Sequence, residues 1–424
     1  MVRLSRTVSA VQAERPAGAT QRRVLGALRH RNYRLFFSGQ AISTVGTWMQ
    51  SIAQSWLALE LTHSGLLVGL VLAAQFTPML VAGPFGGIVA DRYPKRRVLL
   101  LTQVASMVPA FALFALSAEH AVQFWMVLLA ALAVGTINVF DAPARQSFVI
   151  EMVGRQDLMN AIALNSSVWN GAAVIGPSLA GVLIAAVGIP LCFLANGVSY
   201  AAAILALLLM RNLPSLMGAR DGQTVWDRIR EGALYARHDP VVLSMLSLVA
   251  IFSLFAMNRL TLVPLFADQV LHAGAAGFGF LMGSIGLGAF CGAVLLAVWN
   301  RGDGNNQFWV ALAWALSLVA FSWSRLFALS AALLFVAGFC QIWFMATANS
   351  RIQAATPDRL RGRVMSLYAQ ALMGVGPFGA TQAGALASLF GAPVAMTVGA
   401  VIAGLTALGL RVAQPAVFAS EPEE

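Results

Sequence analysis

Gly87-Ile88-Val89-Ala90-Asp91-Arg92-Tyr93-Pro94-Lys95-Arg96-Arg97 is the stretch on which the reading turns. An uncharged apolar run over residues 66–90 leads into it, and another over residues 98–118 leaves it. A helix needs about 20 apolar residues to cross the hydrocarbon of a bilayer, and each run is long enough. The charges fall in the few residues between. That pattern is two membrane helices joined by a short basic loop at a membrane surface.

Working outward, apolar runs recur near 34–59, 66–90, 98–118, 122–141, 162–186, 188–210, 241–267, 275–299, 307–324, 326–348, 364–389 and 392–411. Each is too long for a strand and is bounded by charges, Gly or Pro. Hydrophobic residues make up 59% of the chain and charged residues 10%, against about 25% charged in soluble domains. The expected fold is therefore all-α and integral to a membrane, with twelve transmembrane helices.

The net charge of +10 does not point to nucleic acid, because the basic residues sit in short gaps and not on a continuous face. Alternate gaps hold 25 of the 27. The two exceptions are Arg325 and Arg259, the latter inside the seventh run. Positive charge collects on the cytoplasmic side, so both termini are expected in the cytoplasm. An Arg-rich, Ala-rich composition suggests a bacterial gene, hence the inner membrane. The first 25 residues contain Arg3, Arg6, Arg15, Arg22 and Arg23 but no apolar segment, so residues 1–27 read as a disordered cytoplasmic tail, not a signal peptide. The longest gap splits the runs six and six. The layout is a six-helix bundle over 28–210, a cytoplasmic linker over 211–240, a second bundle over 241–411 and an acidic tail over 412–424. Thr224-Val225-Trp226-Asp227 in the linker reads as the start of a short amphipathic helix on the inner surface. The halves echo each other: Gly176-Pro177 precedes Gly376-Pro377 by 200 residues. Duplicated bundles are characteristic of alternating-access transporters.

The opening stretch resembles the loop motif of the major facilitator superfamily, Gly-x-x-x-Asp-Arg-x-Gly-Arg-Arg, with Pro94 where the family has its second Gly. Gly87 permits a close helix approach, Asp91 can pair with a neighbour's cations or a helix N-terminus, and Arg92, Lys95 and Arg96 hold the loop at the surface. Gly171, Gly176, Pro177 and Gly181 in the fifth run resemble the Gly-Pro motif of the superfamily's exporters. The alternative is ordinary packing of small residues. Phe140-Asp141-Ala142-Pro143-Ala144-Arg145-Gln146, with Pro357-Asp358-Arg359-Leu360-Arg361-Gly362-Arg363, is similar to one branch, the enterobactin-exporter-like or transmembrane secretion effector group. The resemblance implies two pseudo-symmetric six-helix bundles around a cavity open alternately to each side. It also implies a cytoplasmic gate in which Asp141 pairs with Arg92 or Lys95, and that protons are the coupling ion. No Arg precedes Asp141 in the fourth run, where many proton antiporters of the superfamily carry one. Proton coupling therefore rests on the resemblance alone.

Polar residues inside the runs are candidates for a substrate cavity. Arg259, beside Asn258, is costly in hydrocarbon and functional by default. It reads as a counter-ion for an anionic substrate or as a structural partner of Asp268. Gln40, Gln50 and Gln54 lie in the first run, and Gln50 and Gln54 share a face. They either line the cavity or bond between helices. Asn196 and Gln341 are weaker candidates, and Trp48, Trp56, Trp169, Trp343 and Phe344 either stack on substrate or pack.

Cys192, Cys291 and Cys340 have unrelated spacings, and no metal or nucleotide motif occurs. Gly277-Phe278-Gly279 and Gly286-Leu287-Gly288 lie in a membrane helix, where close packing accounts for them. No enzyme, cofactor or metal is expected. The expected function is a monomeric, proton-driven exporter of a small amphipathic molecule, siderophore or drug-like. An importer of a small organic solute is the alternative with the same fold, and a non-transporting receptor the alternative of another class.

Overall fold

The structure is a computed structural model and describes residues 26–154, 156–211, 225–299 and 304–419. Its helices are α1 (Arg31–Thr62), α2 (Gly65–Arg92), α3 (Lys95–Ala118), α4 (Phe124–Val153), α5 (Leu158–Val187), α6 (Pro190–Leu209), α7 (Val225–His238) and α8 (Pro240–Phe255). They continue as α9 (Arg259–Leu265), α10 (Gly274–Trp299), α11 (Gly304–Trp323), α12 (Phe327–Ala355), α13 (Asp358–Ala369), α14 (Gly376–Phe390) and α15 (Ala392–Ala413). A π-helical turn follows α9 (Phe266–Val270) and another joins α13 to α14 (Gln370–Gly374). The apolar runs coincide with these helices. Among the described residues, nine are long and apolar enough to cross a membrane. The helices α1 and α11 fall outside that group because polar residues dilute them, as Gln40, Gln50 and Gln54 do in α1, and α13 and α14 because each is short.

The duplication is written in the backbone. Gly188 (φ 93°) and Gly391 (φ 86°) end α5 and α14 in a conformation that side chains rarely adopt. Each is followed two residues later by a proline, Pro190 or Pro393, in the first turn of the next helix. His63 (φ 49°) and His272 (φ 47°) likewise turn the chain into α2 and α10.

Two helix pairs make the main joins between the first six helices and the later ones, α2 with α14 and α5 with α10, and α9 adds smaller contacts to α1 and α2. Both main pairs are built on small residues. A Cβ on Gly69 would collide with the carbonyl of Ala380, one on Gly384 with the carbonyl of Gly65, and one on Gly279 with Gly181. Lipid supplies no hydrophobic force between helices, so backbone-close packing holds such seams together. Leu66 N donates to Ser388 Oγ (2.8 Å) at the end of the α2–α14 seam, and Trp56 stacks on Phe278 (5.9 Å between centroids) beside the α5–α10 seam. Further along α2 the contact fades. Leu80 is its last neighbour of Gly374, Gly87 has no atom near its Cβ position, and Phe85 is 63% exposed. On α5, Gly171 also faces open space and Met159 is 75% exposed. The molecule is closed at the Gly65–Ser388 end and parted at the Asp91 end.

Several helices overrun their apolar runs. The helix α4 continues twelve residues past Asp141, and α12 runs to Ala355. The residues Gly26 and Ala27, assigned above to the tail, form a buried 3₁₀ turn whose Ala27 N donates to Asn160 Oδ1 (2.9 Å) on α5. The rest of that tail, residues 1–25, lies outside the described residues, as do Thr224 and the side chains of Val225 to Ile229. At the other terminus, Val417 and Phe418 are buried in a 3₁₀ turn, where Arg351 donates to the Val417 carbonyl. The face of α7 carrying Gly232 and Tyr235 packs on the α12–α13 corner through Glu231–Arg363 and a Tyr235 Oη to Ala355 O hydrogen bond (2.7 Å).

The seam predicts a specific sensitivity. Gly279→Leu is expected to cost about 1–3 kcal/mol by overpacking, lowering the thermal midpoint of the detergent-purified protein. Gly409→Ala, where nothing lies within 4 Å, is expected to leave it unchanged. Equal midpoints for both would contradict the seam.

Candidate functional site

Charges at the open end form two buried clusters where α3 crosses α4. Asp141 is 4% exposed. Its Oδ1 accepts from Thr102 Oγ1 (2.7 Å) and Gln103 Nε2 (3.1 Å), and its Oδ2 from Arg145 Nε (2.8 Å) and from the same residue's Nη2. Arg145 is one helical turn along α4, so the pair is local and α3 closes over it. The second cluster is Lys95 Nζ against Glu151 Oε1 (2.8 Å), both nearly buried. It ties the first residue of α3 to the last turn of α4. Arg96 Nη2 donates to Leu208 O (3.0 Å), tying α3 to the end of α6. The pairing of Asp141 with Arg92 or Lys95 is thus corrected. Arg145 is nearer along its own helix, Lys95 is engaged by Glu151, and Arg92 lies exposed beside the exposed Asp91.

Of the two readings open for Gln50 and Gln54, the structure takes the bond between helices. Gln50 Oε1 accepts from Asn196 Nδ2 of α6 (2.6 Å), and Gln54 Nε2 donates to Val127 O of α4 (3.2 Å). Both are buried between helices and do not line a cavity. Helical spacing places them on one face but does not say what that face meets. Gln40 donates to Thr44 one turn along its own helix (2.9 Å). In the α5 motif, Gly176 admits the Trp48 side chain and the Val45 carbonyl of α1, and Gly181 meets Gly279 of α10. The helix runs unbroken through Pro177.

The break between α8 and α9 sets the remaining site. Asn258 turns inward, its Nδ2 donating to Leu254 O (2.8 Å), and is buried against α14. Arg259 starts α9 within the span Pro240–Val270. Its Nη1 donates to Gln341 Oε1 of α12 (3.1 Å), and its Cζ lies 6.0 Å from the Trp48 ring centroid of α1, at the edge of cation–π range. Trp48 meets Trp169 of α5 edge to face (5.7 Å, 61°). Among the described residues no carboxylate pairs with Arg259, Asp268 included. Four elements from both sides of the seam converge here: α1, α5, α9 and α12. The other aromatics pack elsewhere: Trp56 on Phe278, Phe344 on Phe252 (5.0 Å) and Trp343 on Phe339 (5.6 Å).

The sequence profile of the transmembrane secretion effector family matches residues 23–422. The chain belongs to that family of major facilitator transporters. It is 24% identical to a staphyloferrin A transporter of Staphylococcus aureus over 84% of its length and 89% of the relative's. It is 25% identical to a multidrug efflux pump of Mycolicibacterium fortuitum (82% and 87% covered) and to an enterobactin exporter of Shigella boydii (80% and 81%). Among solved structures it superposes on an inward-facing bacterial homologue of the lysosomal transporter Spinster (TM-score 0.70, 13% identity, 97% and 100% covered) and on a peptide-transporter-family protein bound to a peptide conjugate (0.73, 11%, 92% and 97%). These two share its fold. The chain is accordingly a multi-pass membrane transporter of small molecules, not an enzyme.

For this transporter the sequence reading missed Glu151, Thr102 and Gln103. Glu151 lies in what reads as a charged loop, yet Phe148, Val149, Met152 and Val153 around it are apolar at helical spacing, a usable signal. Losing one partner of a buried ion pair costs about 3–5 kcal/mol. Glu151→Gln is expected to lower the melting midpoint markedly, whereas Asp91→Asn, at an exposed position, is expected to leave it within error. Thermal unfolding of the purified variants checks both, and the reverse ranking would refute the assignment.

Proposed function

We propose that this chain is a proton-driven exporter in the bacterial inner membrane, moving a small amphipathic molecule by alternating access as a monomer. Twelve helical segments cross the membrane in two bundles, residues 28–210 and 241–411, with α7 in the linker bracing α13. Both termini lie in the cytoplasm, so the parted end carrying Asp91 faces the cytoplasm and the Gly65–Ser388 end faces outward. The observation that carries the reading is the asymmetry of the seam. It is glycine-tight at one end and open at the other, with the loop motif at the opening.

The mechanism follows from what each cluster can do. Asp141–Arg145 and Lys95–Glu151 stiffen the base of the first bundle so that it moves as one body. Asp91 is exposed at the tip of α2, and Arg359 is exposed on α13 across the opening. Closing the cytoplasmic end brings them together. The empty space over Gly87 is where α13 then lies, and a side chain there would hold the bundles apart. Gly176, Pro177 and Gly181 let α5 keep its contacts with α1 and α10 as the bundles rock. The family supports a siderophore or drug-like cargo, since the relatives include exporters of both kinds.

Inverted membrane vesicles test this directly. With a proton gradient imposed, vesicles containing the chain are expected to accumulate the exported compound, and a protonophore is expected to abolish accumulation. Asp91→Asn is expected to cut the initial rate at least about tenfold, the effect of losing about 1.4 kcal/mol from the closed state, with normal amounts of protein in the membrane. Undiminished flux in that variant would remove Asp91 from the latch. Accumulation in right-side-out vesicles instead would make the chain an importer.

A further inference from the structure

We propose that the cargo carries a carboxylate on a flat aromatic body, the carboxylate seated against Arg259 and Gln341 and the ring lying over Trp48 and Trp169. The inference rests on the transporter reading and narrows it to a chemical class.

The first argument is charge. Asp141, Lys95 and Glu151, the charged side chains buried at the open end, each face an opposite charge. Arg259 has an amide oxygen and an indole, and no carboxylate among the described residues. A guanidinium in a membrane span without a counter-ion is a standing deficit. The group that removes it best is a carboxylate, which a planar guanidinium binds through two parallel hydrogen bonds.

The second argument is shape. Arg259 and Gln341 line a cavity of about 20 Å³ whose other walls are apolar, among them Val263, Ile285, Leu318 and Leu334. That volume holds one or two water-sized groups, which suits a carboxylate head and excludes the body of any drug-sized molecule. Beyond the indole N–H of Trp314 those side chains offer no donors, too few for the extra oxygens of a phosphate or a sugar. The body must therefore lie outside, on the Trp48 side of the guanidinium. There the Trp48–Trp169 pair presents an aromatic surface, with Trp169 54% exposed inside its span. Aromatic faces favour flat aromatic partners. Gln50 and Gln54, buried against α6 and α4, contribute no competing polar surface.

The test uses the full chain purified in detergent, titrated calorimetrically with 2-naphthoate against empty micelles as background. Saturable binding is expected. 2-Naphthol, which lacks the charge, and cyclohexanecarboxylate, which lacks the flat ring, are each expected to bind at least about tenfold more weakly. Arg259→Gln is expected to weaken naphthoate about 30-fold or more, the loss typical of removing one partner of a desolvated charge pair. Arg259→Lys is expected to retain part of the affinity, and Trp48→Ala to lose about 3–10-fold. The two comparison ligands need no variant, so misfolding of Arg259→Gln leaves the test intact. No saturable naphthoate binding, naphthol binding as tightly, or unchanged affinity in a monodisperse Arg259→Gln protein would overturn the class. Vesicle flux separates the two readings. Transport of a neutral or cationic compound, indifferent to Arg259→Gln, overturns the carboxylate assignment and leaves the transporter. Naphthoate binding in a chain that moves nothing across a membrane leaves the site and sinks the transporter.

Discussion

Helices surrounded by lipid gain little from hiding apolar side chains from one another, so what joins them is close contact of backbones. In this protein that contact is concentrated at two pairs. Gly65, Gly69 and Gly384 bring α2 and α14 together, and Gly181, Gly279 and Gly286 bring α5 and α10 together. The rest follows from where these glycines stop. Past Leu80 on α2 the glycines face open space or their own bundle, and past Ala173 on α5 Gly171 faces open space. The seam is strong over half its length and absent over the other half. A molecule joined in this way has a preferred line about which its two parts can tilt.

Charge is arranged to suit that motion. Inside the first bundle the bonds at the open end tie α3 to α4 and α6 and tie α1 to α5 and α6, and the Asp141 and Lys95 pairs are buried and short-range. They resist bending of the bundle and do not cross the opening. The groups that the proposed latch would join, Asp91 on one side and Arg359 on the other, are exposed. Arg259 is buried in a span with no carboxylate partner among the described residues, and it sits where α1, α5, α9 and α12 meet, at the break in the span Pro240–Val270. The α8–α9 break has a cause in the sequence: the Asn258 side chain bonds back to the Leu254 carbonyl, in competition with the helix ladder.

Much of this was legible in the sequence. Run length, the placement of Arg and the Gly87–Arg97 loop identify the membrane class and the family, because hydrocarbon tolerates so few backbone solutions. Arg259 stood out because charge is rare at that depth. Pairings were less legible. Asp141 has three cations within reach by sequence, and the structure decides for Arg145, one turn along α4, because Lys95 is taken by Glu151. Gln50 and Gln54 share a face by spacing, but whether it meets α6, α4 or a cavity depends on bundle geometry. Glu151 was hidden because a charged helix end looks like a loop until its counter-ion, Lys95, 56 positions earlier, is placed beside it. The matched Gly188–Pro190 and Gly391–Pro393 turns were readable as a repeat, and they mark the duplication more sharply than Gly176-Pro177 does.

The central claim is that the two parts tilt about the glycine seam, opening and closing the Asp91 end. Spin labels at Ile88→Cys on α2 and Gly362→Cys on α13, in a protein with Cys192, Cys291 and Cys340 replaced by Ser, measure that opening in lipid nanodiscs. Two distances are expected, the longer matching this structure, with their ratio shifted by a transported compound and the shorter one depleted in Asp91→Asn. A single distance that neither the compound nor the substitution changes would contradict the account.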